Sequence, residues 1–368
     1  MKQELPQLSV TDIMFNHLAQ LLLRRYLKGG VLVAAELLSR YSEPHRFYHN
    51  VAHIDNLLGK INVLKGLTPY EKSLLQLVAY FHDVWYDPRT PNQNEQLSAE
   101  FFMECVKPNQ QKDPTAKRIY TIIKDTDYQN VGREDKLYRI FKQIDCDDPL
   151  YHSDINVLLD NDRKIMKEFQ LYPYSRYRKD RMDFLDSTWK GSPDYADYNL
   201  HSLRKYVESY RLKVGLYAGS FSPFHVGHMN VLEQAEKHFD KVIILVATDA
   251  NKESIDIVNR REAVERILPF HEVAIWNGAL ADYLSDVDCK HTDVTLIRGL
   301  RTGYDVDYET NLRRFLHDAD KDIKTIYYIC DAEFQHISSS AIRSMSDIDP
   351  NFYEKYRPKK YDYARRNC

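Results

Sequence analysis

Two groups of polar side chains in this chain have the residue types and spacing for chemistry, and the first lies in the C-terminal half. The run GSFSPFHVGH places His225 and His228 three residues apart, so both imidazoles can face one crevice and donate hydrogen bonds to a polyphosphate. Gly227 permits close approach of the main chain. A helix that begins within this run would add free N–H groups and the positive end of its dipole. The run therefore indicates a phosphate-binding loop.

Three later runs supply further groups that bind phosphate. Lys252 closes the run ANK, Arg298 and Arg301 stand in RGLR, and the run ISSSAIR over residues 337–343 offers three serine hydroxyls. Singly, each run is also typical of an exposed turn or a serine cap. Together they occur in order, and each follows a predicted strand, where an open α/β sheet binds its ligands. The sequence therefore predicts one polyphosphate site built from four segments.

The second group of side chains lies in the N-terminal half. His49 and His53 stand four apart in YHNVAH, His82 and Asp83 are adjacent, and Asp145 follows later. Histidines four apart are expected on one helical face, and a His-Asp pair at a helix end can present both side chains to one metal ion. Imidazole with carboxylate suits Mn²⁺, Fe²⁺, Zn²⁺ or Mg²⁺ with open positions for water. The predicted chemistry is hydrolysis of a phosphate ester by metal-activated water.

Helical periodicity runs through most of the first 200 residues, so residues 1–211 are predicted to form an all-α domain. A first helix is expected to begin at Thr11 or Asp12. A clearer start is the run Thr68-Pro69-Tyr70-Glu71, a capping box before an apolar stripe. This helix is predicted to end near His82-Asp83, which would place the second motif at its carboxyl end.

The pattern changes after residue 212, where short β-rich runs alternate with helical ones. Such alternation is typical of a parallel, doubly wound, Rossmann-like sheet, so residues 212–368 are predicted to form an α/β domain. The predicted strands are Val214–Ala218, Val242–Ala247, Val273–Trp276, Val294–Ile297 and Ile326–Ile329.

Composition narrows the classes of partner. A formal net charge of −3 over 368 residues gives no general attraction to nucleic acid or to an anionic membrane. The N-terminal residues do not resemble a signal peptide and no apolar stretch is long enough to span a bilayer, so a cytoplasmic location is expected. The five cysteines lack metal-site spacing and are expected to be thiols. Nucleic-acid binding is further disfavoured because the one basic stretch with aromatics, Arg176–Arg181, is short.

The order GSFSPFHVGH, ANK, RGLRTGYDVDYE and ISSSAIR resembles phosphopantetheine adenylyltransferase, a family of the HxGH nucleotidyltransferase superfamily, over residues 213–345. The resemblance implies transfer of an adenylyl group from ATP with Mg²⁺ to 4'-phosphopantetheine, giving dephospho-coenzyme A and pyrophosphate. The implied catalytic residues are His228, Lys252, Arg298 and Arg301. The implied ATP-binding residues are Ser220, Phe221, His225, His228, Arg301, Glu309, Ser338, Ser339 and Ser340. The implied acceptor-binding residues are Ser220, Lys252, Ala279, Leu280 and Arg298.

Departures from the family pattern bear on the acceptor and on assembly. Ser222 stands where the family has an acidic residue, and the stretch after Lys252 is unusual, so nicotinamide mononucleotide remains an alternative acceptor. The resemblance also implies a homo-oligomer formed through this domain. Because only a short region follows Arg343, a reduced terminal helix and a departure from the family's hexamer are expected.

The runs YHNVAH, FHDVWYDPR, NEQLSAE and IDCD resemble predicted phosphohydrolases of the metal-dependent HD superfamily, over about residues 8–210. The resemblance implies metal ligation by His53, His82, Asp83 and Asp145. It makes His49 a candidate general acid or an additional ligand, and Glu95 a possible water-positioning carboxylate. The whole chain would then be bifunctional. A regulatory domain that senses a nucleotide without hydrolysing it is the alternative.

Overall fold

The computed structural model describes residues 27–28, 30–126, 134–189, 197–247, 255–277, 283, 290–318 and 324–365. The helix expected at Thr11 or Asp12 lies outside the described residues. Two compact units are formed, one from Met1–Glu168 with Ser192–Leu203 and the other from Phe169–Gly191 with Arg204–Cys368. Within the described residues, no helix combines the length and the apolar character that a bilayer crossing requires.

Helices make up the N-terminal region. They are α1 (Gly30–Tyr41), α2 (Val51–Val63), α3 (Pro69–Phe81), α4 (Asn94–Cys105), α5 (Pro114–Lys124), α6 (Lys136–Cys146), α7 (Ile155–Glu168), α8 (Tyr174–Trp189) and α9 (Asp197–Ser209), with 3-10 turns at Pro91–Gln93 and Pro108–Gln110. The core of the first unit is apolar and includes Leu58 of α2, Phe81 of α3, Phe102 of α4 and Phe141 of α6, each at most 1% exposed.

Helix α3 begins as the sequence predicts. The Thr68 hydroxyl accepts from the Glu71 N–H at 3.1 Å, and the Glu71 carboxylate accepts from the Thr68 N–H at 2.8 Å, which completes the capping box. The helix ends at Phe81, and His82 takes the C-cap position. Because its apolar face is buried, the helix fixes the His82-Asp83 pair at a buried carboxyl end.

The predicted domain bounds, 1–211 and 212–368, follow a change of sequence pattern, whereas the compact units follow contacts. Helix α8 belongs to the second unit, in which the Arg178 guanidinium donates to the Glu208 carbonyl at 2.6 Å and the Lys241 ammonium donates to the Tyr172 carbonyl. A helix that precedes the first strand can pack with the sheet that follows, and periodicity alone does not reveal this. The sequence bounds stay a prediction.

The second unit contains a parallel five-stranded sheet in the order β3-β2-β1-β4-β5. Its elements are β1 (Leu212–Gly219), α10 (Val226–Ala235), β2 (Lys241–Ala247), α11 (Ile255–Ile267), β3 (Val273–Trp276), β4 (Thr292–Leu300), α12 (Gly303–Asp318), β5 (Thr325–Ile329) and α13 (Ser339–Ser346). The predicted doubly wound α/β fold and its five strands are confirmed. The strand order reverses between β1 and β4, and ligands of such sheets bind at the carboxyl ends of the strands at this point.

The chain after α13 holds the loop that follows β1. Two 3-10 turns, Phe352–Lys355 and Asp362–Arg365, follow α13 in the described part of the chain, and the reduced terminal helix stays a prediction. The Tyr353 hydroxyl donates to the Phe224 carbonyl at 2.7 Å, and the Val226 N–H donates to the Tyr356 carbonyl at 2.9 Å.

Candidate nucleotide site and candidate metal centre

The loop after β1 leads into α10 through a histidine cap. His225 is the N-cap, and its Nδ1 accepts from the Gly227 N–H at 3.1 Å. The His228 Nδ1 accepts in turn from the His225 N–H at 3.3 Å, and the two rings stack with centroids 3.8 Å apart. A Cβ atom at position 227 would lie 3.1 Å from the His225 ring, which is closer than side chains usually approach. The cap geometry therefore favours glycine at this position.

Both imidazoles stay neutral at physiological pH. Burial and the Arg301 guanidinium lower the pKa of His225 to about 4. Burial, His225 and Arg301 together hold the pKa of His228 well below its ordinary value. Because Nδ1 of His228 is an acceptor, the proton of its neutral ring lies on Nε2. His228 is therefore built as a neutral hydrogen-bond donor.

Arg301 follows β4 and is held in place by two partners. Its main-chain N–H donates to Asp305 Oδ2 at 2.8 Å, and its guanidinium lies 3.4 Å from the same carboxylate. The guanidinium also donates to the Ile337 carbonyl at 3.3 Å, which ties the end of β4 to the serine run. Asp305 is not predicted from the sequence, because a carboxylate four residues after an arginine is an ordinary pattern on helices.

The serine run opens α13 and contacts the loop after β1. The Ser338 hydroxyl caps the helix by accepting from the Ala341 N–H at 3.1 Å, while the Ser339 hydroxyl donates to the Pro223 carbonyl at 3.0 Å. Arg343 donates to the Ser222 carbonyl, and its guanidinium lies 3.5 Å from the Ser340 hydroxyl. The loop after β1, the end of β4 and the start of α13 thus meet at one rim of the sheet.

Arg298 and Glu309, for which the resemblance implies separate ligands, contact each other. The Arg298 Nε donates to Glu309 Oε1 at 2.8 Å, and Glu309 is 7% exposed. Arg298 also donates to the Ala218 carbonyl at the end of β1, at 3.2 Å. In this structure the carboxylate holds the guanidinium at the junction of β1 and β4, and the acceptor-binding and nucleoside-binding roles stay predictions.

The remaining predicted residues of this site fall into two groups. Ser220 is exposed directly after β1, and its carbonyl accepts from Arg260 at 2.8 Å; Arg260 also donates to the Ala247 carbonyl at 3.1 Å and was not predicted, since no spacing marks it. The Phe221 side chain is 2% exposed and its φ is 46°, so its main chain is the part available to a ligand. Lys252, Ala279 and Leu280 lie outside the described residues.

In the N-terminal unit, three of the four predicted metal ligands, His53, His82 and Asp83, form one cluster, and Asp145 lies beside its two histidines. The His53 Nε2 lies 3.3 Å from His82 Nε2, 3.8 Å from Asp83 Oδ2 and 3.3 Å from Asp145 Oδ1. The His82 Nε2 lies 2.9 Å from Asp83 and 3.6 Å from Asp145. Neighbouring ligand atoms bound about 2.1 Å from one ion lie about 3.0 to 3.4 Å apart. The separations of 2.9 and 3.3 Å match this range for a single divalent ion, and those of 3.6 and 3.8 Å are slightly longer.

The surroundings orient this cluster. The His82 Nδ1 donates to the Ala79 carbonyl at 3.0 Å, which turns Nε2 toward the carboxylates. Burial opposes charge on both acids, yet the histidines hold the pKa of Asp83 at about 2 and lower that of Asp145. Burial would also keep His82 neutral, but Asp83 and Asp145 raise its pKa well above the ordinary value. The carboxylates therefore favour their ionised form, as metal ligation requires, whereas His82 favours a proton that a bound metal ion would displace.

His49 is not on a helical face with His53, contrary to the prediction. Helix α2 begins at Val51 with Asn50 as its cap, so His49 lies before the helix. Its ring still approaches the cluster, with its centroid 5.9 Å from that of His53. The four-residue spacing does not correspond to one helical turn, because the N-cap Asn50 lies between the two histidines.

A buried glutamate that the sequence analysis missed orients His49. Glu168, 1% exposed, accepts from His49 Nδ1 at 2.6 Å, from the Tyr86 hydroxyl at 2.7 Å, and from the Tyr48 and His49 N–H groups at 2.7 and 2.9 Å. Burial would lower the pKa of His49, but Glu168 raises it. Because Nδ1 is bound to Glu168, the Nε2 atom of His49 is the ring nitrogen that can donate a proton or bind a metal ion.

The buried Arg46 connects the two histidine motifs, since its guanidinium donates to the His49 carbonyl at 3.4 Å as well as to the turn after α3. Its guanidinium donates to the carbonyls of Asp83 and Val84 at 2.6 and 2.9 Å and to the Glu43 carboxylate at 3.0 Å. It therefore fixes the turn after α3. Glu95 lies in the first turn of α4, and its role stays a prediction.

Comparison with known proteins bears on the second unit. Residues 216–345 match the model of the cytidylyltransferase-like family. A phosphopantetheine adenylyltransferase of Lachnoclostridium phytofermentans is 30% identical over 165 residues, which are 40% of this chain and 99% of that protein. A phosphopantetheine adenylyltransferase of Clostridium botulinum is 30% identical over 139 residues, 37% of this chain and 82% of that protein.

A solved structure is also similar, though distantly. It is a bifunctional NMN adenylyltransferase/ADP ribose pyrophosphatase from Francisella tularensis, with 17% identity, a TM-score of 0.27, and coverage of 38% of this chain and 42% of that one. A likeness of this size assigns neither activity nor substrate.

Proposed function

We propose that this chain, which belongs through its C-terminal part to the phosphopantetheine adenylyltransferase family, transfers the adenylyl group of ATP to 4'-phosphopantetheine and releases dephospho-coenzyme A and pyrophosphate. Membership of the family makes the chain an adenylyltransferase. The identity of the acceptor is the part that we propose.

The observation that carries this proposal is the meeting of His228, Arg301 and the serine run at one rim of the sheet. In the proposed reaction, a phosphate oxygen of the acceptor attacks the α-phosphorus of ATP and the bond to pyrophosphate breaks. No protein nucleophile is needed. His228 and Arg301 stabilise the charge that grows on the leaving pyrophosphate, and the N–H groups at the start of α13 bind its oxygens. Lys252 and Arg298 hold the phosphate of the acceptor.

The residues at this rim fit ATP that arrives with Mg²⁺. Among the described residues of the rim, the donors are guanidinium groups, hydroxyl groups and the neutral His228 imidazole, and the Asp305 carboxylate is engaged by Arg301. Mg²⁺ commonly binds through substrate phosphates rather than in an all-protein cage. When bound, the ion supplies charge neutralisation on the phosphates, while the protein supplies position.

The acceptor is tested by identifying the product. Purified protein is incubated with ATP, Mg²⁺ and either 4'-phosphopantetheine or nicotinamide mononucleotide, and the products are identified by mass spectrometry. Dephospho-coenzyme A from the first mixture supports the proposal. Dinucleotide from the second mixture alone would replace it with the alternative acceptor.

The second proposed activity is metal-dependent hydrolysis of a phosphate ester by an HD-type site in the N-terminal unit. Its support is the cluster of His53, His82 and Asp83, with the Asp145 carboxylate 3.3 Å from His53 Nε2. Such an ion lowers the pKa of bound water and so supplies a nucleophile. His49, oriented by Glu168, donates a proton to the leaving oxygen or becomes a further ligand.

Metal analysis and turnover test this activity separately. Protein prepared without chelators is analysed for Mn, Fe, Zn and Mg, and is then assayed with an aryl phosphate after addition of Mn²⁺. We expect a bound divalent ion and hydrolysis that Asp145→Asn abolishes. Tight nucleotide binding without turnover in any metal would favour the regulatory alternative, and absence of both would remove the site.

A further inference from the structure

A cavity of about 550 Å³ lies beside the metal cluster, and the candidate ligand His53 forms part of its wall. The wall comes from two stretches of the N-terminal unit, residues 47–56 and 152–164, together with Asp148. A volume of this size holds a small organic molecule rather than a polymer. The cavity therefore offers space for whatever is attached to a phosphate at the cluster.

Helix α7 connects this cavity to His49. Asn156, Asp160 and Lys164 stand four residues apart, share one helical face and line the cavity. The next residue on that face is Glu168, which binds His49. One face of one helix thus lines the cavity and ends at the histidine proposed to protonate the leaving group.

The wall is rich in amides and poor in positive charge. Four asparagines line the cavity, namely Asn50, Asn56, Asn156 and Asn161, and the amide nitrogen of each donates one hydrogen bond within the protein. Lys164 is the one Lys or Arg among the lining residues, and its ammonium lies 2.6 Å from Asp160. The other lining carboxylate, Asp148, is held by Lys60 at 2.7 Å. A chain of phosphates extending into this cavity would meet carboxylates without unengaged cations to balance them.

We propose that the cavity selects a phosphate monoester whose organic part is neutral, polar and about the size of a nucleoside. This inference rests on the proposed hydrolase activity. The single phosphate occupies the cluster, and the organic part meets the asparagine amides and the rings of Phe47 and Tyr48. Water forms the new bond to phosphorus, the ester P–O bond breaks, and the alcohol leaves with a proton.

The first test compares substrates in the presence of Mn²⁺. Uridine 5'-monophosphate is assayed against uridine diphosphate, uridine triphosphate and p-nitrophenyl phosphate. We expect kcat/KM for the monophosphate to exceed that for the di- and triphosphate by at least about tenfold. Equal hydrolysis of all three uridine nucleotides would overturn the inference while leaving the hydrolase proposal intact.

The second test fills the cavity from α7. Asn156 is exposed, and its side chain bonds Asp154 two residues away, so Asn156→Trp should fold. Arg163→Trp places the same ring at another exposed position of the helix that does not line the cavity. We expect Asn156→Trp to lower kcat/KM for uridine 5'-monophosphate at least about tenfold, and by a larger factor than for p-nitrophenyl phosphate, whose smaller organic part needs less of the cavity, and Arg163→Trp to change neither. An equal loss for both substrates would contradict selection by the cavity.

Calorimetry keeps the inference testable if wild-type protein hydrolyses nothing. Uridine 5'-monophosphate is titrated into each protein with Mn²⁺. Binding that is lost in Asn156→Trp and kept in Arg163→Trp would support the cavity as the binding site. The same result without turnover would overturn the proposed hydrolysis. Absence of binding would overturn the cavity as well.

Discussion

At the scale of single residues, the adenylyltransferase site depends on an imidazole that is neutral and correctly tautomeric. The His225 N–H fixes Nδ1 of His228 as an acceptor, and Arg301 with burial keeps the ring uncharged. The Nε2 atom of His228 therefore donates a hydrogen bond from an uncharged ring. No additional charged group has to lose its water when ATP binds. This arrangement follows from a three-residue spacing that the sequence displays, but the tautomer depends on main-chain geometry that it does not.

We expect His228→Ala to lower kcat for adenylyl transfer by roughly 100-fold or more, because it removes one preorganised donor to the leaving pyrophosphate. The measurement is steady-state pyrophosphate release. His238→Ala is the matched control, since His238 is an exposed histidine of the same unit that contacts Gln234 and Tyr328. Equal rates in wild type and His228→Ala would remove the assigned role.

The lowered pKa of His225 predicts a pH dependence of stability. The folded pKa is about 4 and the unfolded value is about 6.5, so the unfolded chain binds more protons between these values. Stability of α10 should therefore decline as pH falls from about 6.5 toward about 4. In His225→Asn, which keeps a capping side chain, this part of the decline should disappear. Hydrogen exchange of residues 226–235, corrected for intrinsic rates, measures it; identical pH profiles would contradict the assignment.

Glu168 gives a residue-scale prediction for the metal site. Glu168→Gln removes the charge that orients His49 and favours its protonated form, so hydrolysis of an alkyl phosphate should fall roughly 10- to 100-fold. An aryl phosphate should be affected much less, since its alcohol leaves without protonation. Glu104→Gln, at an exposed position of α4, is the control. Equal losses with both leaving groups would indicate a purely structural role for Glu168.

At the scale of helices and strands, features encoded by neighbouring residues could be predicted from the sequence, whereas contacts between residues far apart in the chain could not. The capping box of α3 and the five strands are encoded within short windows, and these predictions are confirmed. The position of Asp145 near His53 and His82 was expected from the order of these residues and from the family resemblance. Glu168 and Arg46 could not be predicted as site residues, because they lie in ordinary helical or loop sequence and contact residues elsewhere in the chain.

The same helix offers a stability prediction. Thr68→Ala removes the capping hydroxyl of α3 and should lower the free energy of opening of this helix by about 1 kcal/mol. Hydrogen exchange of residues 69–81 provides the measurement. Ser73→Ala is the control, since the half-buried Ser73 hydroxyl donates to the Pro69 carbonyl of the same helix and does not cap its N-terminus. Unchanged protection in Thr68→Ala would show that packing alone determines where α3 begins.

At the scale of the whole molecule, the chain combines an adenylyltransferase with a proposed phosphohydrolase, and the two activities should be separable by single substitutions. Asp145→Asn should abolish ester hydrolysis and leave pyrophosphate release within about twofold, whereas His228→Ala should do the reverse. Both variants are assayed for both reactions. Loss of both activities in Asp145→Asn would mean that the phosphohydrolase site does not act independently. Assembly into a homo-oligomer, which the family resemblance implies, stays a prediction.

The measurement that tests the central claim most directly is the rate of pyrophosphate release from ATP and Mg²⁺ in the presence of 4'-phosphopantetheine, compared with nicotinamide mononucleotide and with no acceptor. We predict rapid release with 4'-phosphopantetheine and only background release in the other two mixtures. Background release with 4'-phosphopantetheine, from protein that is folded and binds ATP, would contradict the account.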